Sequence, residues 1–153
     1  MLNRRSFLTT AAIAAPTVLL MSRPAMATTP RTFSENGLAI RGADPVAYFM
    51  QGGPVVGSSE NAVEWYGATW HFASSENMET FMGNPHAYAP QYGGYCSFAM
   101  SKGAIATTVP EAWAIVDGKL YLNYSVNVRS VWSEDIPGNI TLADGHWPDI
   151  LNA

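Results

Sequence analysis

The sequence holds one cysteine, Cys96, and no Cys-x-x-Cys pair. That excludes an internal disulfide and thioredoxin-type dithiol chemistry, so stability has to come from packing. Charge is also sparse. Only 13% of the residues are charged, and 8 Lys and Arg stand against 12 Asp and Glu for a formal net charge of −4. An acidic chain without a basic stripe does not suit nucleic acid or an anionic membrane surface. There is no glycine-rich phosphate loop, no Gly-x-Ser-x-Gly elbow and no His-x-x-x-His spacing, which leaves the familiar hydrolase and metalloprotease chemistries without support. What is present is an aromatic-rich chain with 5 Trp, 7 Tyr and 6 Phe, a composition that argues against disorder.

Residues 1–27 have the three-part pattern of an export signal. Arg4 and Arg5 form a basic patch, a mostly apolar run follows from Phe7 to Met21, and Ala25-Met26-Ala27 supplies a small-residue cleavage site. The run is interrupted by Thr9, Thr10, Pro16 and Thr17, and a membrane span needs about 20 apolar residues, so stable membrane insertion is not expected. The stretch "NRRSFL" resembles the twin-arginine export motif, which implies a periplasmic destination reached in the folded state. Removing Arg4, Arg5 and Arg23, with no acidic residue in the segment, takes the formal charge from −4 to −7.

The remainder divides into a flexible leading segment, 28–37, and one domain, 38–153. "LAIRGADPVAYF" reads as a short strand followed by a turn over Gly42 to Pro45. Val63, Trp65, Trp70 and Phe72 alternate with polar residues around Tyr66-Gly67-Ala68, a hairpin pattern. Ser74 or Ser75 can cap a helix in which Met78, Phe81 and Met82 share one face as core residues, and Pro85 stops it. A short helix is predicted over 95–102, ending at Gly103. Asp117-Gly118, flanked by alternating apolar residues, predicts a second hairpin with a type I′ turn. The last stretch predicts two helices broken at Pro137-Gly138. The expected fold is α+β: a small single domain with two β-hairpins packed with several short helices.

Residues 65–88, "WYGATWHFASSENMETFMGNPHAY", resemble the YHS domain, with matches at Tyr66, Gly67, Trp70, Phe72, Ser74, Phe81, Pro85 and Tyr88. "DPVAYF", Asp44 to Phe49, is similar to the opening of that domain. With "YAPQYGGYC", "PEAW", "VDGKLYLNY" and "DIPGNI", the chain resembles an exported subgroup that can carry selenocysteine at the position of Cys96. The resemblance implies a YHS-like core plus a C-terminal extension. YHS domains attached to copper-transporting ATPases carry metal-binding cysteines at positions that are Ala73 and Asn77 here, so that dithiol site is absent.

Cys96 is the chief candidate. Selenium at the matching position implies sulfur used as nucleophile, redox atom or soft ligand. At the start of the 95–102 helix it would meet the positive end of the helix dipole, with Gly93 and Gly94 leaving that end open. Met100, four residues on, lies on the same helical face, and a thiolate with a thioether suits Cu(I), although Met is more often packing. His71 on the first hairpin, on the face opposite Trp70 and Phe72, and His86 after Pro85 are candidate further ligands or a base for the thiol. His146 stands alone, beside Trp147. Tyr88, Tyr92 and Tyr95 surround the cysteine in sequence; packing is their default role, and a pocket around the thiol is the functional one.

Three readings follow. The leading one is a periplasmic binding module of YHS type, rather than an enzyme. It holds a soft metal ion such as copper, or another thiophilic small ligand, through Cys96, with Met100, His71 and His86 as candidate metal ligands. The second is a thiol-dependent redox enzyme in which Cys96 is oxidised and then resolved by an external thiol. The third is a structural or partner-binding domain whose cysteine is silent.

Overall fold

The computed structural model describes residues 28–153. The signal-peptide assignment for residues 1–27 lies outside the described residues. The chain forms one small α+β domain with a four-stranded sheet, a two-stranded sheet and several short helices, as expected. The strands are β1 (Ser34–Glu35), β2 (Leu38–Ala39), β3 (Ser58–Trp65), β4 (Ala68–Phe72), β5 (Trp113–Val116) and β6 (Lys119–Leu122). The helices are α1 (Ala47–Met50), α2 (Ser75–Gly83), α3 (Pro85–Tyr88), α4 (Ser97–Ser101), α5 (Val126–Trp132) and α6 (Ile136–His146). Among the described residues no helix is long and apolar enough to cross a membrane.

Both predicted hairpins form. In the first, β3 and β4 pair antiparallel with Val63 opposite Trp70 and Trp65 opposite Ala68, and the sheet order is β1-β2-β4-β3. Alternation buries Ala68, Trp70 and Phe72 and turns Thr69 and His71 to the other face. In the second, β5 pairs with β6 around Asp117 and Gly118, whose φ values of 50° and 74° are those a type I′ turn demands. Ser74 caps α2 by accepting from the Asn77 N–H at 3.1 Å. Phe81 lies in the core against Trp65, Trp70 and Phe72.

Several expectations are corrected. Met82 is 55% exposed and not core, because α2 buries a stripe only as wide as Phe81 with Met78 beside it. The break in the C-terminal helices falls at a 3-10 turn, Ser133–Asp135, and α6 runs through Pro137 and Gly138. Pro137 sits in the first turn, where its missing N–H costs no hydrogen bond, and Asp135 caps the helix by accepting from the Gly138 N–H at 3.0 Å. Segment 28–37, expected as a flexible linker, is tied to the domain: the Thr29 N–H donates to Leu151 O, Phe33 is buried, and Tyr95 Oη donates to Pro30 O at 2.8 Å. Gly93 does not open the start of α4. It lets the chain pass directly against the Arg31 carbonyl, where any Cβ would collide, and its own oxygen accepts from the Phe33 N–H at 2.9 Å.

Asp44 joins three elements. Its carboxylate is fully buried; Oδ1 accepts from the Val46 and Ala47 N–H groups at 2.8 and 3.2 Å, and Oδ2 from the Ala73 N–H and Asn77 Nδ2, each at 2.8 Å. Four donors thus satisfy a buried anion and fix α1 to the end of β4 and the first turn of α2. Ala73 and Asn77 are both spent on this carboxylate.

Two predictions follow from this core. Asp44→Ala leaves four buried donors without an acceptor and lowers unfolding stability by about 3 kcal/mol or more. Asp44→Asn also destabilises, by turning one acceptor into a donor that faces N–H groups; urea midpoints equal to wild type for both variants would contradict this role. Burial, then the charge of Glu111, pushes the Tyr48 hydroxyl above the ordinary tyrosine value; burial, then the hydrogen bond to Asp144 and its charge, does the same for Tyr92. The unfolded chain therefore loses these protons first, so stability is intact below about pH 10 and falls as the pH rises further. Urea midpoints should decline above that pH and decline less in Tyr92→Phe; a flat profile would contradict the assignment.

Candidate functional site

Cys96 is the N-cap of α4, and the residues around it are set by chain pairing on both sides. Its N–H donates to Ala106 O at 3.0 Å, and its carbonyl accepts from the Met100 N–H at 2.9 Å. The side chain turns back over the first turn of the helix, as a capping serine would. Sγ accepts from the Ala99 N–H at 3.5 Å and from the Tyr124 N–H at 3.2 Å, and it lies 3.6 Å from Asn123 Oδ1, to which the thiol proton donates. Two backbone N–H groups thus point at the sulfur from different elements, so negative charge developing there meets fixed donors.

Asn123 holds this arrangement. It follows β6 and is fully buried, its N–H donates to Ala112 O, and its carbonyl accepts from the Val109 N–H. The side-chain Oδ1 accepts from the Phe98 N–H at 3.0 Å, which fixes the orientation of the amide. Nδ2 is left buried without a partner among the described residues, as is Ser97 Oγ next to the cysteine. Hydrogen-bonding capacity therefore remains unspent beside the sulfur, where buried polar groups are ordinarily paired.

Cys96 is 1% exposed, yet it forms part of the wall of a depression of about 340 Å³ lined also by Phe98, Ala99, Lys102, Ala106, Tyr124 and Val128. The surface it exposes is wholly apolar, and the Lys102 ammonium lies 5.1 Å from the centre of the Phe98 ring. The depression thus sets the cysteine against an apolar wall.

The other sequence candidates go elsewhere. Met100 is fully buried in the main core and does not line the depression, because a capping side chain and the residue four places on do not share the helical face that the spacing implies. His71 stands half-exposed on the outer face of β4. His86, on α3, packs its ring against Trp65 and Tyr66 at 5.2 and 5.8 Å, in a separate cleft. Tyr88 packs edge-on against Phe49, Tyr95 packs against Phe33, and Tyr92 donates from its hydroxyl to Asp144 at 2.9 Å. None of the three tyrosines lines the cavity at Cys96. His146 lies beside Gly103 at the end of α4. Among the described residues no three or more His, Cys, Asp or Glu side chains cluster as a metal site. Among the described residues, Met100, His71 and His86 do not line the depression at Cys96. Asn123 and Tyr124 escaped sequence reasoning because they lie 27 and 28 residues from Cys96 in the chain; their only local signal is a polar residue where the β6 alternation ends.

No family model, curated protein or solved structure matches the chain.

Removal of the Asn123 amide should loosen the site selectively. Asn123→Ala is expected to cost about 2 kcal/mol of stability and to raise the rate of Cys96 alkylation in the folded protein at least about ten-fold, as the first turn of α4 frays. An unchanged alkylation rate would show that the amide does not position the sulfur.

Proposed function

We propose that this chain is an exported, periplasmic binding module of YHS type in which Cys96 binds a thiophilic ligand. The ligand is one that needs a single sulfur: a soft, thiol-seeking centre carrying an apolar body, or a soft cation such as Cu(I) arriving with ligands of its own. The observation that carries this reading is a thiol with two backbone N–H donors on a residue that borders an apolar depression of about 340 Å³. The donors stabilise charge on sulfur as it forms a bond, and Phe98, Ala106 and Val128 receive the apolar body. A cavity of this size is within the range of small-ligand sites. The export route and the YHS relationship rest on the motifs in residues 1–27 and 44–88.

A second reading draws on the same hydrogen bonds. Sγ fills the capping role of a serine or aspartate for α4, which favours a structural cysteine. The two readings separate in one comparison of wild type with Cys96→Ser, which keeps the cap. Titration with Cu(I) and with phenylmercury is expected to give one tight equivalent in wild type and none in the variant, with N-ethylmaleimide blocking both. Equal behaviour of the two proteins would leave the structural reading. Loss of the free thiol to peroxide, reversed by an external thiol, without metal uptake, would point to thiol redox chemistry instead.

A further inference from the structure

A second cleft, of about 120 Å³, lies apart from Cys96 and has a different character. It is lined on its aromatic side by Trp65, Tyr66, Trp70 and Trp147, and its two nitrogen bases are Arg31 and His86. The Arg31 guanidinium lies 4.6 Å from the centre of the Tyr66 ring and 5.7 Å from that of Trp147. The residues on both sides of Arg31 are anchored: Pro30 O accepts from Tyr95 Oη at 2.8 Å, and Thr32 Oγ1 donates to Tyr66 O at 3.1 Å. Yet among the described residues the guanidinium meets no carboxylate and donates no hydrogen bond, whereas Arg41 pairs with Glu35 and donates to Thr108 O, and Arg129 donates to Trp113 O. An arginine placed over aromatic rings, with its N–H groups unspent among the described residues, is set for bidentate recognition of a carboxylate. Tyr92 also lines the cleft, but its hydroxyl is committed to Asp144.

We propose that this cleft binds a small planar carboxylate: one aromatic or conjugated ring with an attached carboxyl group. Arg31 takes the carboxylate, and Tyr66, Trp147 and the His86 ring pack on the flat body. Size limits the ligand to a single ring, since a cavity of about 150 Å³ admits benzene and this cleft, open to solvent, measures about 120 Å³. Overall charge does not explain the site, because the protein is acidic and the cation is a local exception. The proposal is independent of the Cys96 reading.

Benzoate is the probe, read by tryptophan fluorescence, since three of the five tryptophans line the cleft, and by calorimetry on the purified protein. Saturable binding is expected with a Kd of about 1 mM or tighter. Arg31→Gln should weaken it at least about ten-fold, Arg31→Lys should fall between, and benzyl alcohol, which has the ring without the charge, should bind at least about ten-fold more weakly. Cys96→Ser should bind as wild type. Urea midpoints of the Arg31 variants matching wild type establish that they fold, as the exposed position of the side chain predicts. Absence of saturable benzoate binding, binding indifferent to Arg31→Gln, or equal binding of benzyl alcohol would each overturn the proposal.

Discussion

The geometry at Cys96 depends on one buried amide. Asn123 sits where β6 ends, paired by its backbone to Ala112 and Val109, and its side chain reaches across to the start of α4. By accepting from the Phe98 N–H it satisfies one donor of a helix start that would otherwise be orphaned, and it places an acceptor beside the sulfur. The next residue, Tyr124, contributes its N–H to the same sulfur. Two short elements distant in sequence are thereby locked in register by a polar cluster with the thiol at its centre. Such clusters gain strength from the low dielectric around them and lose it as a unit.

Asp44 performs the corresponding task for α1, the end of β4 and the start of α2. A buried carboxylate without a cationic partner is tolerated because four N–H donors surround it, and those donors belong to α1, β4 and α2. Through Ala73 and Asn77 this carboxylate forms a hydrogen-bonded junction, and the one cysteine caps a different element, α4. The aromatic cleft at Arg31 is a third environment, formed where the first hairpin, α3 and the residues after α6 meet.

The features legible in the sequence are those whose cause is local. Asp117-Gly118 demanded a tight turn, alternating residues around Tyr66-Gly67 marked a hairpin, Ser74 marked a helix start, and the placement of Cys96 at a helix N-terminus followed from its neighbours. Features created by long-range contacts were not legible. A four-donor pattern around Asp44 spans residues 44–77, and nothing near Asp44 announces it. Gly93 read as an opening because the Arg31 carbonyl that demands it is 62 residues away. Pro137 read as a break because a proline inside a helix and a proline in its first turn look alike until the cap, Asp135, is placed. The spacing of Cys96 and Met100 raises a related point, since Met100 lies in the main core and does not line the depression. The four-residue spacing assumes that both residues are helical, and a capping residue is not.

The central claim is that the Cys96 sulfur is reached through the depression in the folded protein and not only when the domain opens. The direct measurement is the rate of Cys96 labelling by N-ethylmaleimide at increasing urea concentrations below the unfolding transition. Access through the depression predicts a rate that barely changes with urea, because no additional surface is exposed. A rate that rises exponentially, with a urea dependence equal to that of global unfolding, would show a sulfur sealed in the native state and would contradict the account.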